Sequence, residues 1–249
     1  MTSLTLIIPA FNESEGVDLT AGKLRPVMDT LRQSYTLETI FVNDGSRDAT
    51  EELLKKAFSD DPTVKVLSHE RNMGLGAAIR TGFQHATGDF LVTTDFDGTY
   101  DFAGITRLLD ALISENADIA TASPYHPQGK VEGVPESRLI FSKGASLLYR
   151  MVVTWHIYTW TALFRAYRRD VIEHVGFRSD DFLAGTELLV NALRAGFKVV
   201  EVPMVLRRRT FGQSSIRIAR VTSAHLRFQL GILFRTYRAP GPVRSPASD

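Results

Sequence analysis

The chain contains no cysteine. That absence excludes disulfides, zinc–thiolate sites and thiol nucleophiles, and it fits a cytosolic working place. Long apolar runs are missing too. The longest stretch without Asp, Glu, Lys or Arg is Met151 to Phe164, 14 residues that include His156, too short to cross a bilayer. Met1-Thr2-Ser3 leads straight into a β-branched run, so no signal peptide is expected. Acid is missing from one end. Between Val202 and Ser248 there is no Asp or Glu, yet Arg207, Arg208, Arg209, Arg217, Arg220, Arg227, Arg235, Arg238 and Arg244 all fall there. The net charge of +1 conceals this asymmetry; such an end faces something anionic or is widely solvated. None of the six histidines has a His-x-x-x-His spacing, so none is assigned to a metal. There is no internal repeat and no low-complexity tract.

What is present is an alternation. With 249 residues, 44% of them apolar, the chain can build one large α/β domain or two small ones. Leu4 to Ile8 reads as a strand, followed by a loop at Pro9 to Glu13 and a helix through about Arg32. Thr39 to Val42 is a second strand running into Asn43-Asp44-Gly45-Ser46, with Asp48 and Glu51 as a capping box for the next helix. Val64 to Leu67 is a third strand, the stretch from Gly74 to Gly88 a helix, and Phe90 to Val92 a fourth strand. This order predicts a mostly parallel sheet flanked by helices, with ligands beyond the carboxyl ends of its strands.

The fourth strand delivers Asp95-Phe96-Asp97-Gly98-Thr99 to that edge. Residues two apart on a strand share a side, and two carboxylates held together call for a cation. Oxygen ligands at a half-open position suit Mg²⁺ or Mn²⁺, with water and substrate phosphate completing the shell. The loops Pro9 to Glu13 and Asn43 to Ser46 belong at the same edge.

Further along, a helix (about Ala103 to Ser114) and a strand (about Asp118 to Ala122) precede a Gly/Pro-rich loop, Ser123 to Glu136, that resembles a mobile substrate loop. Ser137 to Val153 is a helix with Arg138 and Ser142 one turn apart. Asp180 to Arg194 is another, with Glu187 inside it, and Lys198 to Val205 is a strand. The last helix, Ile216 to Arg238, gathers Arg217, Arg220, Arg227, Arg235 and Arg238 into roughly an 80° sector. Leu226, Leu230, Leu233 and Phe234 occupy another side. That layout suits a helix on an anionic membrane surface or a domain helix with a solvated face. Ala239 to Asp249 reads as a disordered tail.

Four ordered motifs, Ile8-Pro9-Ala10-Phe11-Asn12-Glu13, Asn43-Asp44-Gly45-Ser46, Asn72-Met73-Gly74-Leu75-Gly76 and Asp95-Phe96-Asp97, resemble the signatures of family 2 glycosyltransferases with the GT-A fold. Within that family the chain is most similar to dolichyl or polyprenyl phosphate mannosyltransferases and glucosyltransferases. Phe164 to Arg169, Glu201-Val202-Pro203 and Arg209 to Ser214 extend the resemblance. It implies an α/β catalytic domain over residues 1–215, with a nucleotide-sugar half (1–122) and an acceptor half (123–215), then the basic amphipathic helix.

By the resemblance, Pro9, Ala10, Asn12, Glu13, Asp44, Gly74 and Asp95 bind the nucleotide-sugar. Asp97, with Asp95, holds the metal. Arg138, Ser142 and Arg209 receive the lipid phosphate, and Asp97, Arg138 and Arg209 carry the catalysis. Two positions depart from the family pattern: Thr99 stands where a Gln is usual, and Ser123-Pro124-Tyr125 lacks the arginine of Ser/Thr-Arg-Tyr.

The implied activity is inverting transfer of a hexose from a GDP- or UDP-sugar to polyprenyl or dolichyl phosphate. The setting is the cytoplasmic membrane face, with a membrane-anchored partner subunit and no nucleic acid. A hydroxyl acceptor would need a base, for which Glu187 or Asp181 stands ready. Trp155 and Trp160 belong either to the lipid entrance or to the core. Two other readings stay open: a soluble transferase acting on a small hydroxyl acceptor, and a degenerate transferase kept as a binding partner.

Overall fold

A computed structural model describes residues 1–134, 136–209, 211 and 218–243, leaving aside the side chains of 136–138 and 218. Expectations placed on Thr210, on Gly212 to Arg217 and on the chain beyond Val243 lie outside the described residues. Strands β1 (Ser3–Ala10), β2 (Thr36–Asn43), β3 (Val64–Ser68) and β4 (Phe90–Thr93) alternate with helices α1 (Val17–Arg32), α2 (Thr50–Ala57) and α3 (Leu75–His85). Next come α4 (Gly104–Ser114), β5 (Ile119–Ser123), β6 (Lys130–Glu132), α5 (Glu136–Val152), β7 (Arg165–Arg168) and α6 (Arg169–His174). The chain continues through α7 (Ala184–Arg194), β8 (Val199–Pro203), β9 (Val205–Arg207) and α8 (Ile218–Leu233).

Seven strands form one sheet in the order β3-β2-β1-β4-β7-β5-β8, and β6 pairs with β9. β1 runs parallel to both β2 and β4, β2 to β3, and β5 to β8. Alternation along β1 explains the two cores. Leu4, Leu6 and Ile8 join the cluster under α1 and α4, whereas Ile7 points to the opposite face with Ile79 and Phe83 of α3. A strand apolar on both faces must be covered on both, and each fully buried Leu or Ile contributes roughly 1.5–3 kcal/mol.

The α/β sheet with flanking helices agrees with the sequence, and five details differ. β7 enters antiparallel between β4 and β5; its four residues, Arg165 to Arg168, carry too many charges to announce a central strand. The predicted strand Lys198 to Val205 divides at Met204, and its second half, β9, leaves the main sheet. Asp48 and Glu51 form no capping box, because the N-cap of α2 is Ala49, which has no side-chain acceptor. Asp48 accepts the Ser14 and Thr50 amides, each at 3.1 Å, and Glu51 pairs with Lys55 at 2.6 Å rather than reaching back to the Asp48 amide.

The last helix stops at Leu233 rather than Arg238. Arg235 adopts a left-handed φ of 57°, and the Thr236 and Tyr237 amides both donate to the Gly231 carbonyl at 2.9 Å, closing the helix end. The chain then folds back. Val243 is buried, and Gly241 lies so close to Gly176 that a Cβ there would collide with its carbonyl. Ala239 to Val243 is therefore packed chain, where the sequence suggested disorder.

Candidate active site

At the carboxyl edge of β1, β2 and β4 the three polar loops meet, as the alternation requires. Each is braced by its neighbour. Asn12, left-handed at φ 54°, accepts the Arg47 amide at 2.8 Å on its side-chain oxygen and donates its own amide to Ser46 Oγ at 2.9 Å. Glu13 donates its amide to Thr50 Oγ1 at 2.8 Å. Asp44 accepts the Met73 and Gly74 amides, each at 2.8 Å, and His69 Nδ1 at 2.7 Å. Gly74 has φ 101°, a region open to glycine, and an added Cβ would collide with the Asp180 carbonyl. Asp44 and Gly74 thus shape the cleft wall together. Asn12 braces the wall from outside, while Pro9, Ala10, Glu13, Asp44 and Gly74 line it.

Asp95 and Asp97 sit in the turn beyond β4, so their convergence comes from that turn and not from the pleat of a strand. Gly98 allows the turn with φ 63°. Asp97 Oδ1 accepts the Thr99 amide at 3.0 Å and its hydroxyl, so Thr99 holds the carboxylate rather than extending past it. On the other side, Arg209 brings Nη2 to 2.8 Å from Glu13 Oε1 and Nε to 2.8 Å from Asp97 Oδ2. The second approach is an ion pair without an aligned N–H bond, and Glu13 Oε2 is left with no partner. Desolvation, opposed by the Arg209 charge and helped by Asp97, pushes the Glu13 carboxyl up to about 7. Desolvation and then the Asp97 charge also push Asp95 upward.

This crowding fits a divalent cation: buried carboxylates that resist ionising together, one orphaned oxygen, and an arginine borrowed as counter-charge. Among the described residues no three His, Cys, Asp or Glu side chains converge as a complete cage. The donor set is therefore a partial, all-oxygen one, as suits Mg²⁺ or Mn²⁺ sharing its shell with a diphosphate.

From the acidic end the cleft, about 1250 Å³ in volume, runs between α5 and α8. Ser142 of α5 bonds Thr161 at 2.7 Å, and both line it. Arg138 lies in the first turn of α5, with its side chain outside the described set. On α8, Arg220, His225 and Gln229 line the wall as well; Arg220 belongs to the arginine stripe, whereas His225 and Gln229 were not singled out from the sequence. Their spacing on α8 was the available signal. His225 is buried and its pKa is lowered to about 4 by desolvation; the Tyr149 hydroxyl and Nδ1 share a hydrogen bond of 2.9 Å. The mouth is apolar, with Ile140 67%, Phe141 49% and Leu226 44% exposed.

Three sequence candidates sit elsewhere. Glu187 is buried, accepts the Arg178 and Ser179 amides at 3.1 and 2.9 Å and the Tyr237 hydroxyl at 2.7 Å, and does not line the cleft. Its role is to hold a loop, which corrects its candidacy as a base; Asp181 does line the cleft. Trp160 is fully buried, stacked on Tyr149 with centroids 5.2 Å apart, so it is core. Trp155 is 55% exposed.

Comparison with known proteins places this geometry. The family model described as Glycosyl transferase family 2 matches residues 5–176. A polyprenol monophosphomannose synthase from Mycolicibacterium smegmatis is 34% identical over 96% of this chain and 91% of its own length. An undecaprenyl-phosphate mannosyltransferase from Micrococcus luteus is 32% identical over 84% of this chain and 86% of its own. Among solved structures, glucosyl-3-phosphoglycerate synthase from Mycobacterium tuberculosis, in complex with Mn²⁺, UDP and glucosyl-3-phosphoglycerate, covers 92% of this chain and 80% of its own. Its TM-score is 0.69 at 19% identity, a likeness of fold. With three braced loops at one sheet edge, paired aspartates and this match over residues 5–176, the chain belongs to glycosyl transferase family 2.

Proposed function

We propose that the protein transfers a hexose from a nucleoside-diphosphate sugar to a polyprenyl phosphate, with inversion, at a membrane surface. The observation that carries this reading is one continuous cleft. It has carboxylates at one end and opens between α5 and α8 onto exposed Ile140 and Phe141 at the other. A charged donor and an amphiphilic acceptor need those two ends. The similarity to polyprenol and undecaprenyl phosphate mannosyltransferases supports the acceptor class.

In the reaction an acceptor phosphate oxygen bonds to the anomeric carbon while the bond from that carbon to the diphosphate breaks, its electron pair leaving with the nucleotide. Asp97, with Asp95, would hold a divalent cation, which when bound neutralises charge on the departing diphosphate. Asp44 fixes the Met73–Gly74 backbone of the donor wall. Arg209, Ser142 and Arg138 position the acceptor phosphate through charge-assisted hydrogen bonds. A phosphate monoester is already ionised near neutral pH, so the step requires no base, consistent with the placement of Glu187.

No helix among the described residues is long and apolar enough to cross a membrane. Exposed apolar side chains support peripheral attachment. Leu226, Leu230 and Leu233 of α8 and Ile140, Leu147 and Met151 of α5 are all exposed, and the two helices touch where Gln229 donates to the Ala145 carbonyl at 3.2 Å. Exposed apolar stripes on adjoining helices beside a cleft mouth suit the headgroup boundary of a bilayer.

The test is a transfer assay with Mg²⁺ or Mn²⁺, a panel of GDP- and UDP-hexoses and a short polyprenyl phosphate, scored by the mass of the lipid product. A glycosyl phosphoprenol is expected. Donor hydrolysis with no lipid product would overturn the acceptor and point to a small hydroxyl compound.

A further inference from the structure

Beside the catalytic cleft, a second groove of about 590 Å³ follows another face of α5. Leu139, Lys143, Ser146, Leu147 and Arg150 line it, a helical spacing that puts them on one side of α5. Lys130 of β6 and the rings of Tyr125 and Tyr158 complete the walls, and no carboxylate lines them.

The cations are held by rings rather than by acids. Lys143 Nζ stands 5.8 Å from the Tyr125 ring centre. The Arg150 guanidinium lies 4.4 Å from the Tyr158 ring centre and 5.4 Å from that of Trp155, and its Nε donates to the Trp155 carbonyl at 3.2 Å. Among the described residues neither Lys143 nor Arg150 pairs with a carboxylate. A guanidinium fixed by aromatic faces keeps its terminal N–H groups oriented for a bidentate oxyanion. Lys130 is already engaged with Glu132 at 2.7 Å, so the pair from α5 dominates.

We propose that this groove binds the phosphate headgroup of an anionic phospholipid, seating the protein with α5 against the bilayer. The inference rests on the membrane-surface reading above and deepens it. Apolar groups adjoin the cations: Leu147 is 50%, Met151 52% and Trp155 55% exposed. An oxyanion site edged by an exposed tryptophan matches a headgroup with acyl chains beneath it, whereas a free phosphate has no use for the apolar rim.

The experiment is vesicle co-sedimentation at low ionic strength, using phosphatidylcholine alone or mixed with phosphatidylglycerol. The wild-type protein is expected to prefer the anionic vesicles. Lys143→Gln with Arg150→Gln should lower that preference about thirtyfold, at roughly 1 kcal/mol per basic residue, and leave transfer to a short prenyl phosphate in detergent unchanged. Arg227→Gln with Arg238→Gln, outside the groove, should lower it far less. An undiminished preference in the groove variant, or an equal loss in the control pair, would overturn the site. Binding of free glycerol phosphate as tight as that of the anionic vesicles, with no gain from the apolar rim, would reassign the groove to a soluble anion and overturn the lipid. If the wild-type protein made no lipid product yet kept a groove-dependent preference, the acceptor reading would fall and the headgroup site would stand.

Discussion

Arg209 Nε stands 2.8 Å from Asp97 Oδ2, so the carboxylate at the centre of the acidic turn is already occupied by a cation of the chain itself. The Arg207 amide donates to the Thr99 carbonyl at 2.9 Å, which anchors β9 beside the turn and presents Arg209 two residues later. A divalent cation held by Asp97 would therefore compete with Arg209 for one carboxylate. Release of the guanidinium by the arriving cation would free it for an acceptor phosphate.

Arg209→Gln should bind Mn²⁺ about tenfold more tightly in a calorimetric titration without nucleotide, a change of roughly 1.4 kcal/mol, while transfer to the lipid acceptor falls. Equal or weaker Mn²⁺ binding in the variant would refute the competition.

Asp97→Asn keeps an oxygen for the Thr99 amide but loses the charge. Transfer should drop by roughly 10²–10³, with Mn²⁺ affinity lost in the same titration. Full activity in this variant would contradict the metal assignment. In the wild-type protein, Glu13 ionises only near 7, and a cation favours the ionised form. Mn²⁺ affinity should accordingly rise as pH increases toward 7 and level off above it.

His225 predicts an acid limb in stability. The unfolded histidine takes up its proton near 6.5, the folded one only near 4. Stability is therefore complete above pH 6.5 and is lost as pH falls toward 4, by on the order of 3 kcal/mol. Denaturant melts of wild type and His225→Gln across this window should converge as the pH drops. Parallel pH profiles would refute the buried neutral histidine.

Glu187→Gln separates a structural carboxylate from a base. Loss of one acceptor from the bonds to Arg178, Ser179 and Tyr237 should cost about 1–3 kcal/mol of stability, read as a lower Tm. The turnover number should stay within about tenfold. A fall of roughly 10²–10⁴, the contribution of a general base, would restore Glu187 to the chemistry.

Arg165 is fully buried and donates to Thr121 Oγ1 at 3.0 Å, to the Trp160 carbonyl at 2.6 Å and to the Gly185 carbonyl. Arg165→Ala would leave these acceptors dry and a cavity behind, a loss of about 3 kcal/mol or more. Urea melts provide the check, and a variant as stable as wild type would show that the carbonyls find other donors.

The sequence by itself determined the alternating sheet, because burial on both faces of β1 and β2 demands apolar residues at both parities. It also determined the polar loops at one edge, because parallel connections bring successive strand ends together. The aspartate pair at that edge was legible from its motif, but the sequence placed both on one side through a strand's pleat, and the turn at Gly98 is what brings them together. Tertiary structure decided the rest. Whether a carboxylate faces the cleft or holds a loop depends on neighbours distant in the chain: Glu187 is claimed by Tyr237, and Asp97 by Arg209. The final helix had an ambiguous pattern, since a cleft wall, a packed face and an exposed apolar stripe can share one helix. Only packing against Ala145 and Tyr149 of α5 assigned His225 and Gln229 to the interior and Leu226, Leu230 and Leu233 to the outside. Periodicity ranks the faces of a helix by polarity, but the partner that buries one of them comes from the fold.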